Sequence, residues 1–218
     1  MPVELVVSGK YACFTRPELK VERVSYEVMT PSAARGILEA IHWKPVIRWI
    51  VEEISVLKPI QFQTLRRNEI GEKVPARSAL IARNAKNIHQ FNLEIEENRQ
   101  QRASAVLVDV SYIIKARIEL SDTANANETP QKHLEMFKRR AGRGQCFNQP
   151  YLGTREFPAY FNLRENDKAV EPPISETRHL GIMLLDIDYR SQEPLFFEAQ
   201  LEDGVMKVPS PASQAIIR

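Results

Sequence analysis

The sequence predicts an α+β protein in which helices pack on one face of a largely antiparallel sheet. Three observations predict this class. Segments with alternating apolar and polar residues recur along the chain, two other segments have helical spacing and begin with a capping residue and a proline, and strand patterns alone follow residue 178. The hydrophobic fraction of 43% is ordinary for a protein with a buried core.

The first elements are a strand and a helix. The strand begins at Val3 and either ends at Gly9 or continues beyond it, because apolar residues occupy alternate positions. A helix is predicted in "TPSAARGILEAIHWKP", where Thr30 can cap the N-terminus, a proline follows in the first turn, and Pro45 prevents continuation. His42 therefore lies at the C-terminal end of this helix.

The middle of the chain is predicted to be rich in strands. Residues 46–65 predict one long or bent strand with a break at Pro59, and the basic residues 66–87 predict an exposed excursion, either a hairpin or a lid. Residues 91–120 predict two strands around a polar turn. The second of these has the strongest pattern in the chain, with apolar side chains at Val106, Val108, Val110, Tyr112, Ile114, Ala116, Ile118 and Leu120.

The second helix is predicted in "NETPQKHLEMFKRRAGRGQC". Thr129 can cap it, Pro130 suits its first position, and Gly142 or Gly144 can end it. Its buried stripe is predicted to consist of Leu134, Phe137 and Ala141.

The order of these elements, closed by "YLGTREFPAYF", is the order of a ferredoxin-like or RRM-like sheet. We therefore expect a domain at residues 1–163 with a hairpin inserted around residues 66–102. The polar segment "RENDKAVEPPISETR" contains two consecutive prolines and predicts a linker. Residues 178–218 then predict a small, acidic, antiparallel β domain with a turn at "EDG", and this domain is expected to face solvent or a protein partner.

Positive charge is concentrated in one stretch although the formal net charge is only +2. Between residues 132 and 155 the cations are Lys132, Lys138, Arg139, Arg140, Arg143 and Arg155. Arginines beside glycines suit a phosphate backbone, because glycine lets the main chain approach closely and its N–H groups add donors. Five of these cations are therefore predicted to bind RNA: Lys138, Arg139, Arg140, Arg143 and Arg155. The alternative is a basic helix face that contacts only solvent.

His133 is a candidate general base. It lies in the first turn of the second helix, where the helix dipole and Lys132 both disfavour a positive imidazole. A neutral histidine beside a lysine suits RNA cleavage by the 2′-hydroxyl: the imidazole takes the proton, and Lys132 stabilises charge on the phosphate. This chemistry requires no metal. The alternative is an exposed histidine without a role.

His42 is expected to be protonated, because a helix C-terminus favours a cation, which would suit a general acid or a phosphate contact. It could also merely cap the helix. No Gly-rich phosphate loop, G-x-S-x-G, H-E-x-x-H or zinc-type cysteine spacing occurs, so no cofactor and no metal are expected. Neither a leader nor eighteen consecutive apolar residues occur, which predicts a cytoplasmic protein without membrane contact.

Four features together resemble one known family. They are "ARGILEAIHWKPVIRWIVEEISVLKPIQF", "EENRQQRASAVLVDVSYII", the pair Lys132 and His133, and "YLGTREFPAYF". In order and spacing they resemble the Cas five family of CRISPR-associated proteins in its type I-C form. The resemblance extends from the first strand to the acidic tail.

The resemblance implies a ferredoxin-like domain of the repeat-associated (RAMP) kind, followed by a small β domain. It implies a metal-independent endoribonuclease that cuts CRISPR precursor RNA within its repeats. Such a protein is expected to keep the repeat-derived tag of the guide and to join the other subunits of the type I-C surveillance complex. Duplex DNA is a further candidate partner.

The family's catalytic set falls on His42, Lys132 and His133 in this sequence. The lysine and histidine match, whereas a tyrosine of the family is replaced by His42. A histidine can also donate a hydrogen bond or a proton, but its lower pKa would change the acid side of the pH profile. This departure keeps a second hypothesis open, a non-catalytic subunit that binds the guide RNA. A small-molecule enzyme has no supporting motif.

Overall fold

The structure is a computed structural model that describes residues 2–71, 80–83, 95–122, 125, 127–164, 171–188 and 191–217. It is α+β, as predicted, and mostly antiparallel sheet. The first strands are β1 (Val3–Ala12), β2 (Ile47–Val56), β3 (Phe62–Ile70), β4 (Arg99–Leu120) and β5 (Tyr160–Leu163). The later strands are β6 (Arg178–Asp188), β7 (Glu193–Glu202), β8 (Val205–Lys207) and β9 (Ile216–Ile217). The helices are α1 (Pro31–Ile41), α2 (Ile95–Asn98) and α3 (Pro130–Ala141).

The strands form one sheet with the order β5-β1-β4-β2-β8-β7-β6, while β3 also pairs with β4 and β9 pairs with β7. Strand β4, with 22 residues, is central, because one half pairs with β1 and β2 and the other half pairs with β3. Tyr112, Ile114 and Ile118 are buried as predicted, but the alternation is incomplete, because Leu107 and Ile113 are buried as well and Val108 is only half-buried. Helix α1 follows β1 and helix α3 follows β4. Because β1 and β4 are neighbours in the sheet, the two helices follow adjacent strands.

Residues 46–65 form β2 and the start of β3, and the break between these strands contains Pro59, as predicted. The chain leaves β2 after Val56 and pairs again from Phe62 with another part of β4. One strand prediction was wrong. Residues 95–120 form the short helix α2 and one strand, whereas two strands were predicted for 91–120. The predicted excursion at 66–87 begins inside β3, and its residues 72–79 and 84–87 lie outside the described part of the chain.

Both long helices begin and end where the sequence predicts. The Thr30 hydroxyl accepts a hydrogen bond from the Ala33 N–H, at 3.3 Å, and the Thr129 hydroxyl accepts one from the Lys132 N–H, at 3.2 Å. Helix α3 buries its predicted stripe together with His133. The core continues into the sheet, where the Phe137 ring meets Trp49 edge to face with centroids 4.7 Å apart.

The acidic tail joins the same sheet. Its strand β8 pairs with β2, and the turn before β8 is the predicted "EDG", with φ of 47° at Asp203 and 74° at Gly204. A side chain at Gly204 would collide with the Ile174 backbone, so this turn requires glycine. The sequence did not predict the two-residue strand β9. The division into domains at 1–163 and 178–218 stays a prediction.

Among the described residues, no helix has both the length and the apolar character needed to cross a membrane.

Candidate active site

Two buried histidines meet where α1 ends and α3 begins. His42 is the C-cap of α1, and His133 lies in the first turn of α3. His42 Nε2 lies 3.1 Å from His133 Nδ1, and the rings stack with centroids 5.4 Å apart. Their exposed fractions are 0% and 3%. The alternative of an exposed His133 is therefore wrong in its exposure, and the catalytic role of His133 stays a prediction.

Arg140 holds the other side of this pair. It lies seven residues after His133, which is two helical turns, so both side chains point toward α1. Its Nη1 donates a hydrogen bond to the Ile41 carbonyl at 3.1 Å and lies 3.4 Å from His42 Nδ1. The His42 carbonyl accepts a hydrogen bond from the Trp49 indole at 2.9 Å. Backbone and side chain of His42 are thus both fixed.

The structure corrects the expected charge of His42. Burial lowers its pKa from 6.5 to about 4, and the nearby charges of Arg140, His133 and Lys44 act in the same direction. The helix C-terminus, which favours a cation, is outweighed by this loss of hydration. His42 is therefore neutral near pH 7 and is not a phosphate-binding cation.

Glu128, which sequence reasoning missed, completes the arrangement. Its Oε2 lies 2.9 Å from His133 Nε2 and 3.1 Å from Lys132 Nζ, so both side chains predicted to act in catalysis converge on one carboxylate oxygen. The contact with the Lys132 ammonium group is the largest of the effects that lower the pKa of Glu128. Glu128 precedes the helix cap by one residue, a position where a negative charge interacts favourably with the helix dipole.

One assignment of protons fits the distances among Arg140, His42, His133 and Glu128, which we call the histidine cluster, although His133 Nε2 and Glu128 Oε2 approach each other without hydrogen-bond geometry. Arginine only donates, so His42 Nδ1 accepts, and neutral His42 carries its proton on Nε2. That proton is donated to His133 Nδ1. Neutral His133 then carries its own proton on Nε2, toward the Glu128 carboxylate, which only accepts.

The other predicted RNA-binding residues lie outside this cluster. Lys138, Arg139 and Arg143, which we call the cationic end of α3, are exposed, as is Arg155. Within the described part of the chain, none of these four has a carboxylate within 4.0 Å, whereas Arg140 is half-buried and bonded to α1. Their contacts to RNA stay predictions.

One prediction for this region was wrong. The glycine N–H groups near the end of α3 were expected to be free for phosphate. The Gly142 N–H donates to the Lys138 carbonyl at 2.9 Å, and the Gly144 N–H donates to the Ala141 carbonyl at 3.1 Å. These donors close the end of the helix, so the side chains remain as the groups that could bind an anion.

A groove of about 1280 Å³ lies beside the histidine cluster. Arg140 and Arg155 line it together with Lys44, Trp43 and Phe147. The loop that carries Arg155 packs closely on the Cys13 backbone, directly after β1. A side chain at Gly153, where φ is 86°, would collide with this backbone, so the close approach requires glycine. No group of three or more His, Cys, Asp or Glu side chains among the described residues is placed to hold a metal.

Comparison with known proteins gives consistent matches over nearly the whole chain. A family model described as CRISPR-associated protein (Cas_Cas5) matches residues 3–210. A protein of Mannheimia succiniciproducens named CRISPR pre-crRNA endoribonuclease Cas5d is 52% identical over 212 residues, which cover 95% of this chain and 94% of that protein. A protein of the same name from Thermus thermophilus is 39% identical over 236 residues, which cover 99% and 95%.

A crystal structure of a CRISPR-associated protein has the same fold, with a TM-score of 0.72 at 23% identity, and the match covers 100% of this chain and 97% of that one. The family model and the two relatives define the chain as a CRISPR-associated protein. Within that class, the chain belongs to the Cas five family in its type I-C form, as its resemblance predicted.

Proposed function

We propose that this chain is an endoribonuclease that cuts CRISPR precursor RNA within its repeats. The observation that carries the proposal is the convergence of His133 and Lys132 on one oxygen, Glu128 Oε2, at 2.9 and 3.1 Å. An oxygen held by an imidazole and an ammonium group has the surroundings that a phosphate or 2′-hydroxyl oxygen needs during cleavage. The names of both relatives support the same activity.

In the proposed reaction the RNA supplies its own nucleophile. His133 Nε2 takes the 2′-hydroxyl proton, the 2′-oxygen attacks phosphorus, and the bond to the 5′-oxygen breaks. Lys132 stabilises the charge that grows on the phosphate, and the leaving oxygen takes a proton from solvent. The products are a 2′,3′-cyclic phosphate and a 5′-hydroxyl. No step requires a metal.

A general base requires an unprotonated His133 Nε2, and this requirement changes the protons of the histidine cluster. The proton of the neutral His133 ring then lies on Nδ1, which must donate to His42 Nε2. His42 would then carry its proton on Nδ1, toward Arg140, and two donors would face each other. We therefore propose that bound RNA displaces Glu128 and draws Arg140 from His42, because phosphate competes for arginine.

His42 acts in this scheme as a positioning residue. Its Nε2 fixes the orientation of the His133 ring, which the tyrosine of other family members could do through its hydroxyl. Its low pKa and its burial do not suit the alternative role of general acid.

We further propose that β5, β1, β4 and β2, with α1 and α3, make up a ferredoxin-like unit of the RAMP kind. The sheet order and the helices that follow β1 and β4 support this assignment. After cleavage the protein would keep the guide tag and join the other subunits of the type I-C complex, with the acidic tail toward a protein partner. Duplex DNA remains a candidate partner.

The deciding experiment is incubation of the pure protein with its own repeat RNA in EDTA. We expect one cut, with a 2′,3′-cyclic phosphate and a 5′-hydroxyl at the new ends, and no cut when the nucleotide on the 5′ side of the bond is 2′-deoxy. Cleavage that requires added Mg²⁺, or cleavage of the deoxy substrate, would exclude this mechanism.

A second candidate function is a non-catalytic subunit that binds the guide RNA. The burial of both histidines favours it, because every ring nitrogen already faces a partner. In that case repeat RNA would bind in EDTA without being cut.

A further inference from the structure

The groove beside the histidine cluster presents two large aromatic side chains to solvent. Phe147 is 84% exposed, the highest value among the large hydrophobic residues that the structure describes, and Trp43 is 52% exposed. Both line the groove of about 1280 Å³. Burying such side chains normally stabilises a fold, so their exposure at one site indicates a ligand.

Their exposure is built into the fold. The Phe147 N–H donates a hydrogen bond to the Ala40 carbonyl at 2.8 Å, and the Asn148 N–H lies 3.3 Å from the same oxygen. Trp43 directly follows His42, whose carbonyl accepts the Trp49 indole N–H. The backbone therefore holds both residues near the end of α1. Phe147 is bonded to Ala40, and Trp43 follows the last helical residue by two positions.

The charges of the groove favour an anion. Arg35, Lys44, Arg140 and Arg155 line it on the positive side, against Glu39 and Asp186. Both carboxylates are already paired with Arg35, at 3.7 and 2.7 Å. Lys44 and Arg155 have no carboxylate within 4.0 Å among the described residues, so their charge is free for a ligand.

We propose that this groove is a subsite for an unpaired stretch of RNA, in which a base stacks on Phe147 and the adjoining phosphates contact Arg155 and Lys44. Exposed aromatic rings among free cations are the common means of binding single-stranded nucleic acid, because every base has a face that stacks. The inference rests on the proposed function for the identity of the RNA. Trp43 provides a second stacking surface next to His42.

The location gives the subsite a purpose. Arg140 lines the groove and also contacts His42, so an RNA strand in the groove reaches the arginine that must leave His42 before His133 can act. A base held on Phe147 would fix the strand that leads to the cut, and proper positioning accounts for much of the rate of such reactions.

The test measures affinity in EDTA, with repeat RNA that carries a 2′-deoxy nucleotide at the cut site. Phe147→Ala should weaken binding about 5- to 100-fold, which corresponds to the loss of one stacked base. Phe147→Trp should retain binding, because the flat indole ring can still stack on a base. Phe147→Leu should behave like the alanine variant, because a leucine side chain is apolar but cannot stack. Thermal melts should match those of the wild type, since Phe147 buries little surface.

The matched control is Tyr160→Ala. Tyr160 is an aromatic residue with 67% exposure on β5, and it does not line the groove. Its loss should leave RNA affinity unchanged. Binding by Phe147→Ala within twofold of the wild type, or equal losses for Phe147→Ala and Tyr160→Ala, would overturn the subsite.

A spectroscopic measurement locates the stacked base. The adenine analogue 2-aminopurine, placed in turn at the unpaired positions of the repeat, should lose fluorescence on binding at one position, and Phe147→Ala should restore that fluorescence. If the wild type does not cut RNA but this quenching is present, the nuclease proposal fails and the subsite stands. If the wild type cuts and no position depends on Phe147, the subsite alone fails.

Discussion

The histidine cluster, where α3 meets the end of α1, and the cationic end of α3 differ in how their side chains are held. In the cluster, each ring nitrogen has a partner within 3.4 Å, and both rings are buried. At the cationic end, Lys138, Arg139 and Arg143 are exposed and have no carboxylate within 4.0 Å among the described residues.

The difference follows from what each region would have to do. A proton transfer needs atoms fixed within a fraction of an ångström, and burial among close neighbours fixes both rings. Binding a phosphate backbone depends mainly on charge, which acts over several ångströms and tolerates mobile side chains. Substitutions of the two histidines of the cluster should therefore affect rate and stability, and substitutions at the cationic end should affect affinity.

The largest effect is expected from His133→Ala. Single-turnover cleavage of repeat RNA should fall by about 10²-fold or more, the usual contribution of a general base, while affinity stays nearly unchanged. Because His133 is buried, His133→Gln serves as a second variant that preserves more of the packing. A parallel loss of affinity and rate in both variants would place His133 in binding instead of catalysis.

The second effect concerns stability at acid pH. The pKa of His42 is about 4 in the folded protein and 6.5 in the unfolded chain, so the unfolded state binds the proton first. The contribution of His42 to stability is complete above pH 6.5 and is lost as the pH falls to about 4, by on the order of 3 kcal/mol. Urea unfolding of His42→Gln should show a smaller loss over this range than the wild type.

The control for this prediction is His179→Gln. His179 lies on β6, is 58% exposed, and lies 2.8 Å from Glu198. Its replacement should leave the acid dependence of unfolding close to that of the wild type. Equal slopes for His42→Gln and the wild type would contradict a buried, neutral His42.

Local sequence features predicted the elements that depend on neighbours in the chain. Thr30 and Thr129 cap their helices as predicted, because a cap bonds to an N–H three residues away. The alternation in β4 predicted its buried face, because the strand period is a property of the backbone. The "EDG" turn was predicted for the same reason.

Contacts between distant residues were not predicted. His42 and His133 are 91 residues apart, so the charge of His42 was inferred from its helix end alone, and burial reverses that inference. The acidic Glu128 was overlooked because its partner could be identified only from the folded helix start. Phe147 had one sequence feature that could have pointed to it, an aromatic residue in the polar stretch after the arginines.

A smaller effect is expected at the cationic end. Arg139→Ala with Arg143→Ala should reduce the salt dependence of repeat RNA binding by about 0.7 log units per log salt for each lost phosphate contact. Arg140 is left intact, because its loss would also disturb His42. Lys207→Ala, which removes one charge from β8 in the acidic tail, should not change the slope. An unchanged slope in the double variant would exclude these arginines from the RNA contact.

The smallest effect is expected from Glu128→Gln. This variant tests whether Glu128 only occupies the place of RNA or also orients His133 during the reaction. The carboxylate occupies the oxygen position between His133 and Lys132 that RNA would need, and its negative charge repels phosphate. The effect of one exposed charge is small because solvent screens it, so repeat RNA should bind up to about fivefold more tightly.

Cleavage by Glu128→Gln should not be slower than cleavage by the wild type, because the amide still leaves His133 Nε2 when RNA arrives. Glu135→Gln, which removes an exposed carboxylate from α3, controls for the general loss of negative charge. If Glu128→Gln slowed cleavage about tenfold at unchanged affinity, the carboxylate would be orienting His133 during the reaction. Glu128 would then belong with His42 as a residue that fixes the imidazole, and the fixed region would include the start of α3.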